Sequence, residues 1–178
     1  MKKTSIGLFL MLLPLIGFSQ SIFDKFEESE RIGSMTISKG MLHIVADMME
    51  EKGDKESEEF VEIAKSIDGI KIFVSEDEGA AADMAATMKQ YVKSSKLEEL
   101  MKIKDGDTNL KFYVKSGKDE DHVSELLMFV TGLEDEKEES YGIETVLLTM
   151  SGDIDLTKVG SLTRKMNLPK ELDKVEKQ

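Results

Sequence analysis

Two carboxylates near the end of the chain are the first residues whose types and spacing could do chemistry. Asp153 and Asp155 lie two positions apart after an apolar run, and paired carboxylates can serve acid–base catalysis or bind a divalent cation. Asp155 also stands where an Asp side chain caps a helix, and Asp153 belongs to a turn signal. We therefore predict structural roles for both residues.

A second set of polar residues matches only the beginning of a calcium-binding loop. Asp105, Asp107 and Asn109 take its alternate ligand positions. That loop also requires Gly at its sixth position and Glu at its twelfth, which are here Leu110 and Ser116. The Asp-Gly pair between two alternating apolar runs predicts a β-hairpin instead.

The chain has two histidines, and neither predicts a metal site. His43 falls near the apolar face of a predicted helix, and His122 begins a predicted strand beside acids. Lone histidines without a second ligand nearby are typical of packing and surface residues. The acidic runs 119–121 and 134–139 are predicted to be solvated loops, and whether one of them binds a cation stays open.

The motifs of the common enzyme classes are missing. The sequence has no Cys, no Gly-x-Ser-x-Gly, no His-Glu-x-x-His, no P-loop and no Gly-x-Gly-x-x-Gly. Ser38 and Lys39 are neighbours, but a Ser–Lys catalytic pair needs an approach in space that adjacency in a strand denies. We predict no catalytic residues, no cofactor and no bound metal.

The elements that position these residues are organised around the stretch 141–155. Both of its alternating residue sets are mostly apolar or β-branched, which is typical of a central strand. The apolar run 123–131 is its predicted partner. Shorter strand patterns lie at 34–38, 70–74, 100–104 and 110–114.

Helical patterns fill most of the remaining chain. They are predicted at 21–32, after Gly40, at 55–66, after Ser75 and after Asp155. The helix after Gly40 should bury one broad apolar face, which is formed by Met41, Leu42, Ile44, Val45, Met48 and Met49. Ser75 and Glu78 form the Ser-x-x-Glu pattern of a capping box at the start of the next helix.

This order of elements predicts an α+β fold. One strand, two helices, a strand, a helix, a meander of three or four strands and a last helix favour a two-layer sandwich. We expect a mostly antiparallel sheet with the helices packed on one face. Residues 21–168 form a single domain in this prediction, and 169–178 form a polar C-terminal tail.

The first twenty residues have the pattern of a secretory signal peptide. Lys2 and Lys3 precede an apolar run of about 13 residues, short of the roughly 20 that a spanning helix needs. Cleavage after Ser19 or after Gln20 fits the small residues that follow, and an uncleaved anchor is the competing interpretation. We predict an exported protein, periplasmic or extracellular, that is soluble and not integral to the membrane once the signal is cleaved.

Charge and cysteine content restrict the partners. Removal of residues 1–20 takes away Lys2 and Lys3 and no acid, which changes the formal charge from −12 to −14. Such a field repels phosphate backbones, so we predict no nucleic-acid binding. The absence of Cys means that neither disulfides nor a lipobox cysteine is available.

Several short motifs together resemble the DUF4252 family. They are Phe-Asp-Lys-Phe at 23–26, Thr-Ile-Ser-Lys at 36–39, Leu-Met-Lys-Ile-Lys-Asp-Gly at 100–106, Ser-Glu-Leu-Leu-Met at 124–128 and Ser-Gly-Asp-Ile-Asp-Leu at 151–156. The resemblance implies an exported Bacteroidota protein of the cell envelope, with no known catalytic residues. Many relatives look like lipoproteins, from which this chain departs because it lacks the Cys.

Two functional hypotheses follow. The first is a non-enzymatic interaction or sensing module with a protein partner in the cell envelope, based on export and the lack of a catalytic set. An exposed apolar strip containing Met or Phe would support it. The second is a hydrolase, or a binder of a small ligand or metal, that uses acids such as Asp153 and Asp155. The oligomeric state stays open.

Overall fold

A computed structural model describes residues 22–51, 55–133 and 143–158 of the 178-residue chain. The predicted signal peptide at 1–20, the acidic loop at 134–139 and the C-terminal tail at 169–178 lie outside the described residues. The last predicted helix also lies mostly outside them. Within the described residues, no helix has both the length and the apolar character needed to cross a membrane.

The core of the fold is one antiparallel sheet of six strands in the order β1-β2-β6-β5-β4-β3. The strands are β1 (Gly33–Ser38), β2 (Ile67–Ser75), β3 (Glu98–Asp105), β4 (Thr108–Ser116), β5 (His122–Thr131) and β6 (Thr145–Asp155). The helices are α1 (Asp24–Glu27), α2 (Lys39–Glu50), α3 (Lys55–Ser66) and α4 (Glu78–Ser94). The predicted α+β class and the meander of β3 to β6 are therefore confirmed.

The predicted central strand and its partner lie in the middle of the sheet. β6 runs between β2 and β5, and Leu147 and Leu148 on β6 are both buried, on opposite faces. The strand begins at Thr145, and Glu144 just before it donates its backbone N–H to the Ser75 carbonyl and accepts from the Leu133 backbone N–H. Burial on both faces explains why the sequence here is apolar at consecutive positions.

The expected packing of all helices on one face is not confirmed. Side chains of α2 and α3, such as Leu42 and Ile63, belong to the same core cluster as Leu148. Side chains of α1 and α4, such as Phe26, pack with Leu147 in a separate cluster. Successive strand residues point to opposite faces, so the two helix pairs cover opposite faces. We call these the α2–α3 face and the α1–α4 face.

Aromatic rings connect α1 to the sheet. The ring centroid of Phe23 lies 4.8 Å from that of Tyr91 on α4 and 6.2 Å from that of Phe73 on β2. Phe26 meets Phe73 edge-on at 5.6 Å. The predicted helix at 21–32 is only the four-residue α1, but Phe23 and Phe26 are buried as its pattern indicated.

The cap of α4 differs from the predicted capping box. Asp77 is the N-cap residue, and its Oδ1 accepts a hydrogen bond of 2.7 Å from the Ala80 backbone N–H. Ser75 is instead the buried last residue of β2, where its hydroxyl donates to the Arg31 carbonyl at 3.0 Å. The capping-box prediction was wrong because a second capping residue lies two positions further along.

Candidate functional site

The acids at the end of β6 are held by neighbouring residues. Lys118 Nζ lies 2.6 Å from Asp153 Oδ2. Asp155 Oδ1 accepts hydrogen bonds from the Thr157 backbone N–H at 2.9 Å and from its hydroxyl, which lower the pKa of Asp155. Asp155 thus caps the backbone that follows it, as predicted. Asp153, which was predicted to be a turn residue, lies instead within β6 and forms an exposed ion pair.

A His–Asp pair lies beside these acids. His122 Nδ1 is 2.6 Å from Asp119 Oδ1, and this hydrogen bond is the largest cause of the lowered pKa of Asp119. His122 faces Asp155 across the β5–β6 ladder. The fold therefore brings His122 close to Asp119 and Asp155, which the sequence analysis considered separately. Even so, no group of three or more His, Asp or Glu side chains that could hold a metal ion occurs in the described part of the chain.

The other candidates from the sequence are turns and packing residues. Asp105 and Asp107 flank the β3–β4 turn, in which Gly106 has a φ of +56°, and the predicted hairpin is confirmed. Ser38 caps α2 through the Met41 N–H, whereas Lys39 Nζ lies 2.8 Å from Asp68. This serine and this lysine therefore have different partners.

His43 has one unusual feature. Its Nε2 is buried and has no hydrogen-bond partner among the residues that the structure describes. The ring is otherwise partly exposed on α2. In the described part of the chain this nitrogen belongs to no group of three or more His, Cys, Asp or Glu side chains that could hold a metal ion.

Tyr91 and Glu125 form a partly buried pair that the sequence did not indicate. Burial, together with a hydrogen bond to the Glu125 carboxylate, raises the pKa of Tyr91 to about 12. Burial also raises the pKa of Glu125 above its ordinary value of 4.5, although the Tyr91 hydrogen bond opposes this shift. The two residues are 34 positions apart, so only the packing of α4 on the sheet reveals the pair.

This pair gives a prediction for pH dependence. The pKa of Glu125 is higher in the folded than in the unfolded protein, so the folded state binds the proton more tightly. As the pH rises above the unfolded pKa, the ionised carboxylate is therefore disfavoured in the folded state and Glu125 lowers the free energy of unfolding. We expect Glu125→Gln to stabilise the protein by roughly 1 kcal/mol or less at pH 7, because the amide oxygen still accepts from Tyr91. The gain should shrink as the pH falls toward 4.5. Thermal melts from pH 4 to pH 8 would measure it, with the exposed Glu98→Gln as control. A gain that does not vary with pH would contradict the prediction.

The largest departure from the predicted burial is on α2. Of the six residues of its predicted apolar face only Leu42 is buried, and Ala46, which was not part of that prediction, is buried as well. Met41, Ile44 and Met48 are 52%, 57% and 67% exposed, and we call these three residues the α2 strip. Their spacing of three and four places them along one side of the helix.

The strip is exposed because the helix rests on its other side. Ala46 packs with Val61 and Ala64 of α3, while Leu42 joins the core cluster of the α2–α3 face. A helix with apolar residues around most of its circumference cannot bury all of them against one neighbour. Met35 of the edge strand β1 is also half exposed, and it pairs with Ile72 on the face that α2 covers.

Comparison with known proteins gives a family and no function. Searches of the curated proteins and of the solved structures find no match. A family profile described as "Domain of unknown function (DUF4252)" matches residues 26–162, which include all six strands. The match confirms the family that the sequence motifs indicated. With a six-stranded antiparallel sheet and this match over most of its length, the chain belongs to the DUF4252 family.

Proposed function

We propose that this protein is an exported, non-enzymatic module that binds a protein partner in the cell envelope through the α2 strip. The observation that carries the proposal is the exposure of Met41, Ile44 and Met48 along one side of a well-formed helix. Contiguous apolar side chains on a protein surface are typical of interaction sites. Methionine suits such a site because its flexible side chain adapts to a partner.

The residues around the strip define the chemistry of the partner. Asp47 and Glu51 are exposed within one turn of the strip, and the whole chain carries a formal charge of −12. An apolar contact surface with a basic rim would complement both features. Export is supported by the signal-like pattern of residues 1–20.

The alternative function based on acids has less support. Asp153 is paired with Lys118, and Asp155 is occupied by Thr157. Divalent binding at these carboxylates would have to replace both sets of contacts. Unchanged thermal stability of the wild-type protein in millimolar calcium, magnesium or zinc would exclude the metal form of this alternative.

The experiment is affinity capture with residues 21–178 from a periplasmic and membrane extract, followed by titration of the captured partner. Met41→Gln, Ile44→Gln and Met48→Gln together should weaken partner binding at least about tenfold. The three side chains are exposed, so the glutamines should barely change the melting temperature. Leu100→Gln, at a site 55% exposed on β3, is the matched control and should bind like the wild type.

Two results would contradict the proposal. One is empty beads at every salt concentration. The other is a partner whose affinity is the same for the wild type and the strip variant. Mass spectrometry of the protein recovered from its native host would test export separately, because a mature chain that begins at Gln20 or Ser21 requires cleavage of the signal.

A further inference from the structure

A cleft of about 510 Å³ lies between α4 and the paired strands β4 and β5, on the α1–α4 face. One side of α4 contributes Met88 and Lys89, among others. Alternate residues of the strands, among them Lys111, Tyr113 and Phe129, form its floor. The volume is within the range of roughly 300–1,000 Å³ that small-molecule sites occupy.

The cleft combines an apolar wall with a cationic end. Met88 and Phe129 are almost fully buried behind its surface. Lys89 and Lys111 bring ammonium groups to it, and Asn109 and Thr131 add neutral polar groups nearby. The exposed lining is therefore polar and apolar in similar measure, as a ligand with a charged head group and an apolar chain requires.

No acid neutralises the two lysines of the cleft. Within the described residues, five lysines form ion pairs with acids, namely Lys39, Lys65, Lys71, Lys118 and Lys158. Lys89 and Lys111 are not among them, and the ammonium groups of both can meet a ligand. Lys111 also lies directly opposite Lys102 in the β3–β4 ladder. Like charges at such positions repel each other, and an anion bound at Lys111 would relieve the repulsion.

We propose that this cleft binds a small anionic amphiphile, such as a medium-chain carboxylate. Its head group lies at Lys89 and Lys111, and its chain lies along Ala85 and Val92, the partly buried apolar residues of the cleft lining. The hydroxyl of Tyr113 at the floor is hydrogen-bonded to the Glu99 carboxylate, and burial, followed by Glu99, raises its pKa. The two lysines and not this tyrosine therefore hold the head group.

The acidity of the whole protein does not prevent this. The field of distant acids is screened over about 8 Å at physiological ionic strength. The charges within the cleft therefore decide which ligand binds. A cationic amphiphile would place its charge against two ammonium groups and should be rejected.

The test uses dodecanoate below its aggregation concentration, titrated into residues 21–178 by calorimetry. We expect saturable one-to-one binding that dodecyltrimethylammonium does not reproduce. Lys89→Gln with Lys111→Gln should weaken dodecanoate binding about tenfold. Lys93→Gln, an exposed lysine one turn further along α4 and outside the cleft lining, is the matched control and should leave the affinity unchanged.

A second variant tests the apolar part of the cleft. Ala85→Leu extends a partly buried helix residue that lines the cleft, and leucine is a good helix former. It should reduce dodecanoate affinity at constant charge. Vesicles with anionic lipid distinguish the source of the ligand: co-sedimentation that the double lysine variant loses would assign an amphiphile presented in a bilayer.

The proposal is overturned if neither dodecanoate nor anionic vesicles bind. It is also overturned if binding is equal in the wild type, the double lysine variant and Ala85→Leu. The α2 strip variant should bind dodecanoate like the wild type, because the strip and the cleft lie on different helices. Failure of the partner proposal therefore leaves this result unchanged.

Discussion

Replacement of Phe73 by alanine is expected to lower the free energy of unfolding by about 3–5 kcal/mol. The Phe73 side chain is fully buried in β2, next to the central strand β6. Its ring meets both Phe23 and Phe26, so it holds α1 against the sheet. Truncation would remove these ring contacts, which add to the loss of buried apolar area.

Urea denaturation followed by circular dichroism would measure this effect. Phe112→Ala is the matched control, because it removes the same ring from β4, where Phe112 is only partly buried on the opposite face. Phe112→Ala should lower the free energy of unfolding by clearly less than Phe73→Ala does. Equal losses for the two variants would show that the ring cluster around Phe73 makes no special contribution.

The parts of the fold that the sequence predicted depend on short-range signals. The apolar runs 123–131 and 141–155 indicated the central strands, and the Asp-Gly pair indicated the β3–β4 turn. The helix at 55–66 is present with the predicted bounds. In each of these cases, residues within one element determine the outcome, as alternation and turn chemistry require.

The placement of helices could not be predicted in the same way. Both residue sets of β5 and β6 are apolar, so each face needs a cover, but alternation does not say which helix covers which face. The exposure of Met41, Ile44 and Met48 likewise depends on which side of α2 packs against α3. The helical pattern records which residues are apolar, and the tertiary packing decides which of them are buried.

The cleft was predictable only in part. The Asp-Gly turn sets the register of the β3–β4 hairpin, which places Lys102 opposite Lys111. The sequence therefore contained a signal for two unneutralised lysines on one strand pair. The position of Lys89 beside these strands depends on how α4 packs on the sheet, and no local sequence pattern predicts that packing.

The two proposed surfaces lie on different faces of the sheet. The α2 strip belongs to a helix of the α2–α3 face, and the cleft lies under α4 on the α1–α4 face. The central strands contribute side chains to both faces. A ligand in the cleft and a partner on α2 can therefore bind at the same time, and their effects can be measured separately.

Gly152→Ala is expected to destabilise the protein by about 3 kcal/mol or more. Gly152 has a φ of +148°, which L-residues rarely adopt, at a register irregularity between β2 and β6. A Cβ atom added there would lie 2.3 Å from the Ser66 carbonyl oxygen and 2.8 Å from the Ile67 Cα. Both obstacles are backbone atoms, so strands β2 and β6 would have to move apart at this point.

Gly40→Ala is the matched control for this change. Gly40 lies in α2, and a Cβ atom there would meet its nearest neighbour at 3.9 Å, which is ordinary contact. Because alanine favours helices, the control should stabilise the protein by up to about 1 kcal/mol. Thermal and urea unfolding of both variants would measure the two effects. Equal melting temperatures of the two variants would show that the close approach of Gly152 to the end of α3 does not constrain the β2–β6 pairing. A loss of stability in Gly152→Ala and a gain in Gly40→Ala would show that this pairing requires a glycine at position 152.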